Sequence, residues 1–234
     1  MKRMSNIELL RILLGIFVIA LHINNPSDGA AITYASENHI NEAMLVIIEM
    51  ASICAVNVFL LISGYFLTSS HKRNYWKILE LFLQCIMFMM IKYVMYCALN
   101  INHFNVKELL ISCIPNNYFI TLYSTTYLVS IIVDYGLDKM DRVQLKKIMI
   151  SGIIVFSVVP TVLSVVSELF GRDFSGLNTI GIGGSQRGYT IVNFLLLYVI
   201  GACLRRLDLK INLSMADALY ERNRNIMGKC INIL

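Results

Sequence analysis

The sequence predicts an all-α fold, a polytopic transmembrane helix bundle, and three observations support this prediction. Hydrophobic residues make up 57% of the 234 residues and charged residues only 15%, against about 25% charged residues in an ordinary soluble domain. The apolar residues are gathered into long runs between short polar stretches, as a bilayer requires. Lysine and arginine are concentrated in alternate connections between these runs, which is typical of membrane proteins.

Six segments are candidates for spanning helices. A span needs roughly 20 mainly apolar residues to cross a hydrocarbon core of about 30 Å. The candidates are residues 7–23, 43–67, 76–99, 118–136, 148–169 and 190–204. The fourth segment is rich in Tyr, Ser and Thr and the sixth is short, so we expect both to face other helices rather than lipid alone.

The distribution of cations predicts that both ends of the chain are cytoplasmic. Glu8 and Arg11 interrupt the first apolar run, so we expect a retained helix and not a cleaved signal peptide. With the N-terminus inside, sixteen of the 20 lysines and arginines fall on the inner side, three on the outer side, and Lys92 within the third segment. Because these cations gather in cytoplasmic loops, we predict about six spans in a multi-pass protein of the cell membrane, surrounded by lipid.

Composition argues against several other classes of function. The net charge of +5 comes from cations beside apolar runs, which form no basic face or nucleic-acid motif, so we predict no nucleic-acid partner. Six cysteines are scattered without a CxxC pair, which indicates neither a disulfide framework nor a metal site. The glycine-rich residues 181–188 lack the strand that precedes a phosphate-binding loop, and we predict a flexible outer loop.

The first segment carries three ionisable residues, Glu8, Arg11 and His22. Such groups are costly in a membrane and usually face a bundle interior or a water-filled cavity. Arg11 and His22 are eleven residues apart, so they lie within ~20° of one helix face and ~16 Å apart along it. An arginine can bind phosphate and a neutral imidazole can accept a proton from an attacking hydroxyl. The alternative is that both side chains simply extend to the two membrane surfaces.

Four blocks of sequence resemble the acyltransferase 3 family of bacterial integral-membrane O-acyltransferases. The first block begins at Asn6 and places ten residues between Arg11 and His22, which is the spacing in the first helix of that family. The second, residues 55–67, contains Ser-Gly-Tyr at positions 63–65 and is followed by two basic residues at 72 and 73. Residues 117–121 and 192–202 are weaker matches, in the order expected of the family.

The resemblance implies transfer of an acetyl or other small acyl group from a cytoplasmic acyl-CoA donor, without a metal, to a hydroxyl of a surface polysaccharide or another glycan. His22 is then the catalytic base or proton shuttle. Arg11 has a catalytic role and, with Lys72 and Arg73, binds the phosphates of the donor. The residues implied to shape a pore or the helix packing are Glu8, Ser63, Gly64 and Tyr65.

Simpler roles remain open for several of these residues. Ser63 and Gly64 can serve only to let two helices approach closely. Lys72 and Arg73 can serve only to fix the topology. Lys92 can extend its amine to the membrane surface or pair inside the bundle.

The resemblance covers nearly the whole chain, although the family usually has about ten membrane helices. We therefore expect a C-terminally truncated member, with an acyltransferase-like transmembrane domain at residues 1–206 and a cytoplasmic tail or surface helix at residues 207–234. Two alternatives are a non-enzymatic membrane component of polysaccharide assembly or export and an inactive remnant. A homo-oligomer is a further option, because a second copy could complete the bundle.

Overall fold

A computed structural model describes residues 5–26, 29–70, 72–101, 103–115, 117–171 and 190–208. Within these ranges the chain forms ten α-helices and one π-helical segment and no strand, which confirms the all-α prediction for the described part. The helices are α1 (Ser5–Asn24), α2 (Ala31–Ala35), α3 (His39–Ser52), α4 (Ala55–Leu67), α5 (Trp76–Ala98), α6 (Val106–Ser112), α7 (Tyr118–Asp138), α8 (Arg142–Ile153), α9 (Val159–Phe170) and α10 (Ile191–Leu207). The π-helical segment, Ile154–Val158, joins α8 to α9.

Five helices are long and apolar enough to cross a membrane, consistent with a membrane protein. They are α1, the joined pair α3 and α4, α5, α7, and the continuous helix from α8 to α9. They correspond in order to the first five predicted segments. The sixth predicted segment forms α10, which has 17 residues. A sixth span and a cytoplasmic N-terminus stay predictions, and the glycine-rich residues 181–188 and most of the predicted tail lie outside the described residues.

Two of the spanning segments begin four or more residues earlier than the apolar pattern predicts, because polar residues cap them. The side chain of Asn38 accepts hydrogen bonds from the first turn of α3. Helix α3 therefore begins at His39, four residues before the predicted start at 43. Asp141 and Gln144 form a reciprocal capping box at α8, before the predicted start at 148. Capping satisfies backbone N–H groups that a helix leaves unpaired, so both helices extend beyond their apolar runs.

Two of the predicted continuous helices are interrupted. The helix from α3 to α4 breaks at residues 53–54. The helix from α8 to α9 contains the π-helical segment, which ends two residues before Pro160. Proline has no N–H to donate and its ring crowds the preceding turn, so the regular hydrogen-bond pattern cannot continue through this position.

The closest helix packing is between α4 and α10. A Cβ atom at Gly64 would overlap the backbone carbonyl of Tyr198, and one at Gly201 would overlap the carbonyl of Leu61. Small residues allow such approach between membrane helices. Seven of the 17 residues of α10 are buried, as we expect of a segment that faces other helices.

Helix α5 is a long helix that packs loosely against the bundle. Tyr93 is its one buried residue, and the Tyr93 hydroxyl bonds the backbone of Asn105 just before α6, donating at 2.9 Å and accepting at 2.8 Å. On the other side of the bundle, α1 packs through Leu14 against Ala55 and Ile62 of α4. The gap left between α5 and the helices α1, α4 and α7 holds the candidate site.

Candidate functional site

A cavity of about 430 Å³ lies between α5 and the helices α1, α4 and α7. We call it the first cavity. Its polar lining comes from Arg11 of α1, Ser63 of α4, and Lys77, Glu80 and Gln84 of α5. Four aromatic residues complete much of the remaining lining: Phe59, Phe119, Tyr123 and Tyr127. Two of the predicted site residues, Arg11 and Ser63, thus face one space.

Arg11 is held at this cavity by neighbours on two helices. Its Nη1 donates to Glu8 Oε1 at 3.2 Å, one turn earlier in α1. Its guanidinium carbon lies 5.3 Å from the centroid of the Phe66 ring in α4. The Arg11 and Glu8 side chains are 41% and 42% exposed, and exposed pairs of this kind contribute only about 0.2–1 kcal/mol to stability. A phosphate can therefore compete with Glu8 for the guanidinium.

The three residues of the Ser-Gly-Tyr block point to three different surroundings. Ser63 lines the first cavity, and its hydroxyl donates to the carbonyl of Phe59 at 2.9 Å. Gly64 faces the backbone of α10. The Tyr65 hydroxyl accepts a hydrogen bond from Arg205 at 3.1 Å, and the guanidinium carbon of Arg205 lies 5.0 Å from its ring centroid. Of the three, Ser63 borders space for a ligand and Gly64 serves packing.

His22 lies near the C-terminal end of α1 and is exposed. It does not line the first cavity. Two residues later, the buried Asn24 donates to the carbonyl of Leu45 at 3.1 Å and fixes this end of α1 against α3. His22 and Arg11 lie on one helix ~16 Å apart, and the structure does not bring His22 together with Ser63.

The two predicted basic residues before α5 differ in accessibility. Lys72 is exposed. The Arg73 side chain is 1% exposed, and its three nitrogens donate five hydrogen bonds. The acceptors are the hydroxyls of Ser130 and Tyr198, the carbonyls of Leu67 and Ser70, and the carboxylate of Asp134. The Lys72 side chain is accessible to a ligand, whereas Arg73 could bind one only by leaving these acceptors.

Asp134 is the centre of a buried polar cluster that the sequence did not reveal. Its carboxylate is fully buried and accepts from Arg73 at 2.5 Å, Tyr198 at 2.8 Å and Thr68 at 2.7 Å. Arg206 lies 3.4 Å from Asp134 and 2.7 Å from Asp138. We call these six residues the Asp134 network: Thr68, Arg73, Asp134, Asp138, Tyr198 and Arg206.

The Asp134 network balances two arginines with two aspartates. It joins the connection between α4 and α5, which contains Thr68 and Arg73, to α7 and α10. One signal in the sequence pointed to it, because Asp134 is the single carboxylate in the predicted segment 118–136. An ionisable residue within a span usually has an internal partner, but the identity of that partner required the tertiary structure.

A second cavity, of about 340 Å³, continues from the first along α5. The two share Leu81 and Gln84, and the second extends to Lys92 and to the start of α7 at Asn117 and Ile120. Every charged or amide side chain of α5 lines one of the two cavities; these are Lys77, Glu80, Gln84 and Lys92. All four residues are exposed, so this polar face of α5 borders the open space of the two cavities, as polar groups within a span usually do.

The described residues contain no group of three or more His, Cys, Asp or Glu that could hold a metal ion. No family model, curated protein or solved structure matches this chain. Support for a function therefore comes from the geometry of the cavities and from the sequence resemblance.

Proposed function

We propose that this protein is a membrane O-acyltransferase, which moves an acetyl or other small acyl group from a cytoplasmic acyl-CoA to a hydroxyl of a surface polysaccharide or another glycan. One observation supports this proposal most. Arg11 and Ser63 come from the two stronger blocks of the family resemblance, and both line the first cavity. The helices around this cavity are of the kind that crosses a membrane.

The first cavity suits the binding of a phosphorylated donor. Arg11 and Lys77 are cations at its lining, and guanidinium and ammonium groups form strong hydrogen bonds with phosphate. The aromatic residues of α4 and α7 offer apolar surface to the uncharged part of the donor. We assign donor binding to Arg11, Lys77 and the exposed Lys72, and we assign Arg73 to the framework because its N–H groups are already bonded.

The reaction exchanges a thioester for an ester. The acceptor hydroxyl attacks the thioester carbonyl carbon, a C–O bond forms, and the C–S bond breaks. His22, acting as general base, takes the hydroxyl proton, and the departing thiolate takes up a proton and leaves as the free thiol. Because His22 and Arg11 are ~16 Å apart along α1, the donor phosphates and the acyl group must lie at different depths, with the donor extended between them.

The test compares cells that express the parent chain, His22→Gln or His39→Gln, with the level of each protein in the membrane measured. His39 is a matched control because its side chain is 95% exposed and lies on a different helix. We expect acetyl groups on purified surface glycan with the parent and with His39→Gln. Loss of a general base lowers rates by about 10²–10⁴-fold, so His22→Gln should abolish the signal.

Either of two results overturns this proposal. A His22→Gln chain that acetylates as the parent does excludes His22 as the base. Absence of acetylation with every chain, although all accumulate in the membrane, counts against acyl transfer to this acceptor. The position of His22 outside the first cavity favours a second candidate, a non-enzymatic component of polysaccharide assembly or export. That candidate predicts that the cavity is needed and His22 is dispensable.

A further inference from the structure

Lys92 is an exposed cation within the apolar part of α5. It lies six residues before the end of α5 at Ala98, or ~9 Å from that end of the helix. Arg11, Arg73 and Arg206 each pair with a carboxylate, but no ion pair among the described residues includes Lys92. Its amine lies 5.6 Å from the centroid of the Tyr96 ring, which attracts a cation but leaves its charge uncompensated.

The surface beside Lys92 combines this charge with apolar walls. The second cavity is lined by Lys92, by the polar side chains Gln84 and Asn117, and by apolar residues that include Leu81, Phe88 and Ile120. Leu81 is eleven residues before Lys92, so the cavity runs ~16 Å along α5. A ligand that fits such a surface has an anionic group at one end and an alkyl chain along its length.

We propose that the second cavity binds an anionic phospholipid, whose phosphate pairs with Lys92 and whose acyl chain lies against Leu81, Phe88 and Ile120. A lipid fits better than a soluble anion because the cavity lies along a helix of spanning length, where lipid is the surrounding solvent. Charge complementarity supplies the selectivity, since a zwitterionic lipid brings no net negative charge to Lys92. This inference does not depend on acyl transfer, and a chain without transferase activity can satisfy it.

The test measures phospholipid retained by the full chain after purification in a zwitterionic detergent. Parent, Lys92→Gln, Lys92→Arg and Lys107→Gln are each exchanged into mixtures of phosphatidylglycerol and phosphatidylcholine, and the bound lipids are quantified. Lys107 is the matched control, because it is an exposed lysine at the start of α6 and does not line the cavity. We expect about tenfold less phosphatidylglycerol on Lys92→Gln, and parental amounts on Lys92→Arg and Lys107→Gln.

A second measurement separates a lipid from a free anion and from loss of folding. The midpoint of thermal unfolding is compared with phosphatidylglycerol, phosphatidylcholine or inorganic phosphate added. We expect phosphatidylglycerol alone to raise the midpoint of the parent and of Lys92→Arg. Equal retention of phosphatidylglycerol by the parent and Lys92→Gln, or equal protection by inorganic phosphate, overturns the proposal. Formation of a dimer through this surface, with lipid excluded from it, also overturns the proposal.

Discussion

Arg73 and Asp134 are 61 residues apart in the sequence and form an ion pair whose side chains are 1% and 0% exposed. Arg73 lies in the connection before α5, and Asp134 lies in α7. Since α5 makes few other contacts with the bundle, this pair fixes where α5 starts relative to α7. It therefore positions one side of the first cavity without lining it.

Replacement of Asp134 by asparagine should lower the free energy of unfolding by about 3–5 kcal/mol, because it leaves the guanidinium of Arg73 buried without its counter-charge. The free energy is measured by denaturant titration in mixed micelles. Asp138→Asn is the matched control, since Asp138 is 40% exposed and its partner in the Asp134 network is Arg206. An exposed pair contributes about 1 kcal/mol or less, so equal losses in the two variants would contradict the buried pair.

Gly64→Ala and Gly201→Ala should each destabilise the protein by about 1–3 kcal/mol or more, because the added methyl group meets the backbone of the facing helix and cannot be relieved by a side-chain rotation. Gly136→Ala in α7 is the control, because nothing lies within 4 Å of its added Cβ. Alanine favours a helix over glycine by about 1 kcal/mol, so this variant should be neutral or more stable. The same mixed-micelle titration gives all three values, and a destabilised Gly136→Ala with an unaffected Gly64→Ala would refute the proposed α4–α10 packing.

Local features of the sequence were sufficient to predict the helical class and the approximate position of each long helix. Apolar runs of membrane length can be read directly from the sequence, and so can the small residue Gly64. The starts of α3 and α8 were predicted too late because Asn38 and Asp141 extend the helices beyond the apolar runs that defined them.

The candidate site was less predictable because its contacts join distant parts of the chain. Arg73 and Lys72 are adjacent cations in the sequence, and only the fold shows that one meets Asp134 while the other is exposed. The polar face of α5 left a weak signal in the sequence. Lys77, Gln84 and Lys92 fall within a sector of about 80° at 100° per residue, and this spacing alone indicates a polar helix face.

The predicted topology can be tested with single cysteines in a chain whose six native cysteines are replaced. Glu37→Cys and Ser70→Cys place thiols at exposed positions before α3 and after α4. Because the positive-inside distribution predicts a cytoplasmic N-terminus, we expect an impermeant maleimide to label position 37 in intact cells and position 70 only after permeabilisation. The reverse pattern would invert the topology and place the Asp134 network on the outer side.

Variants of Ser63 distinguish two roles for this residue in the first cavity. Its hydroxyl could contact the acyl donor, or its small side chain could only leave space for the donor. Its hydroxyl already donates to the carbonyl of Phe59, so Ser63→Ala should retain acyl-CoA binding within a few-fold. Ser63→Leu adds bulk to the cavity lining and should weaken binding by about tenfold or more, as measured with radiolabelled donor on the purified protein. Ser69→Leu is the control, because the exposed Ser69 hydroxyl makes a similar bond to a carbonyl of α4 but Ser69 lines neither of the two cavities. If Ser63→Ala alone abolishes binding, the hydroxyl contacts the donor directly and Ser63 does more than shape the space.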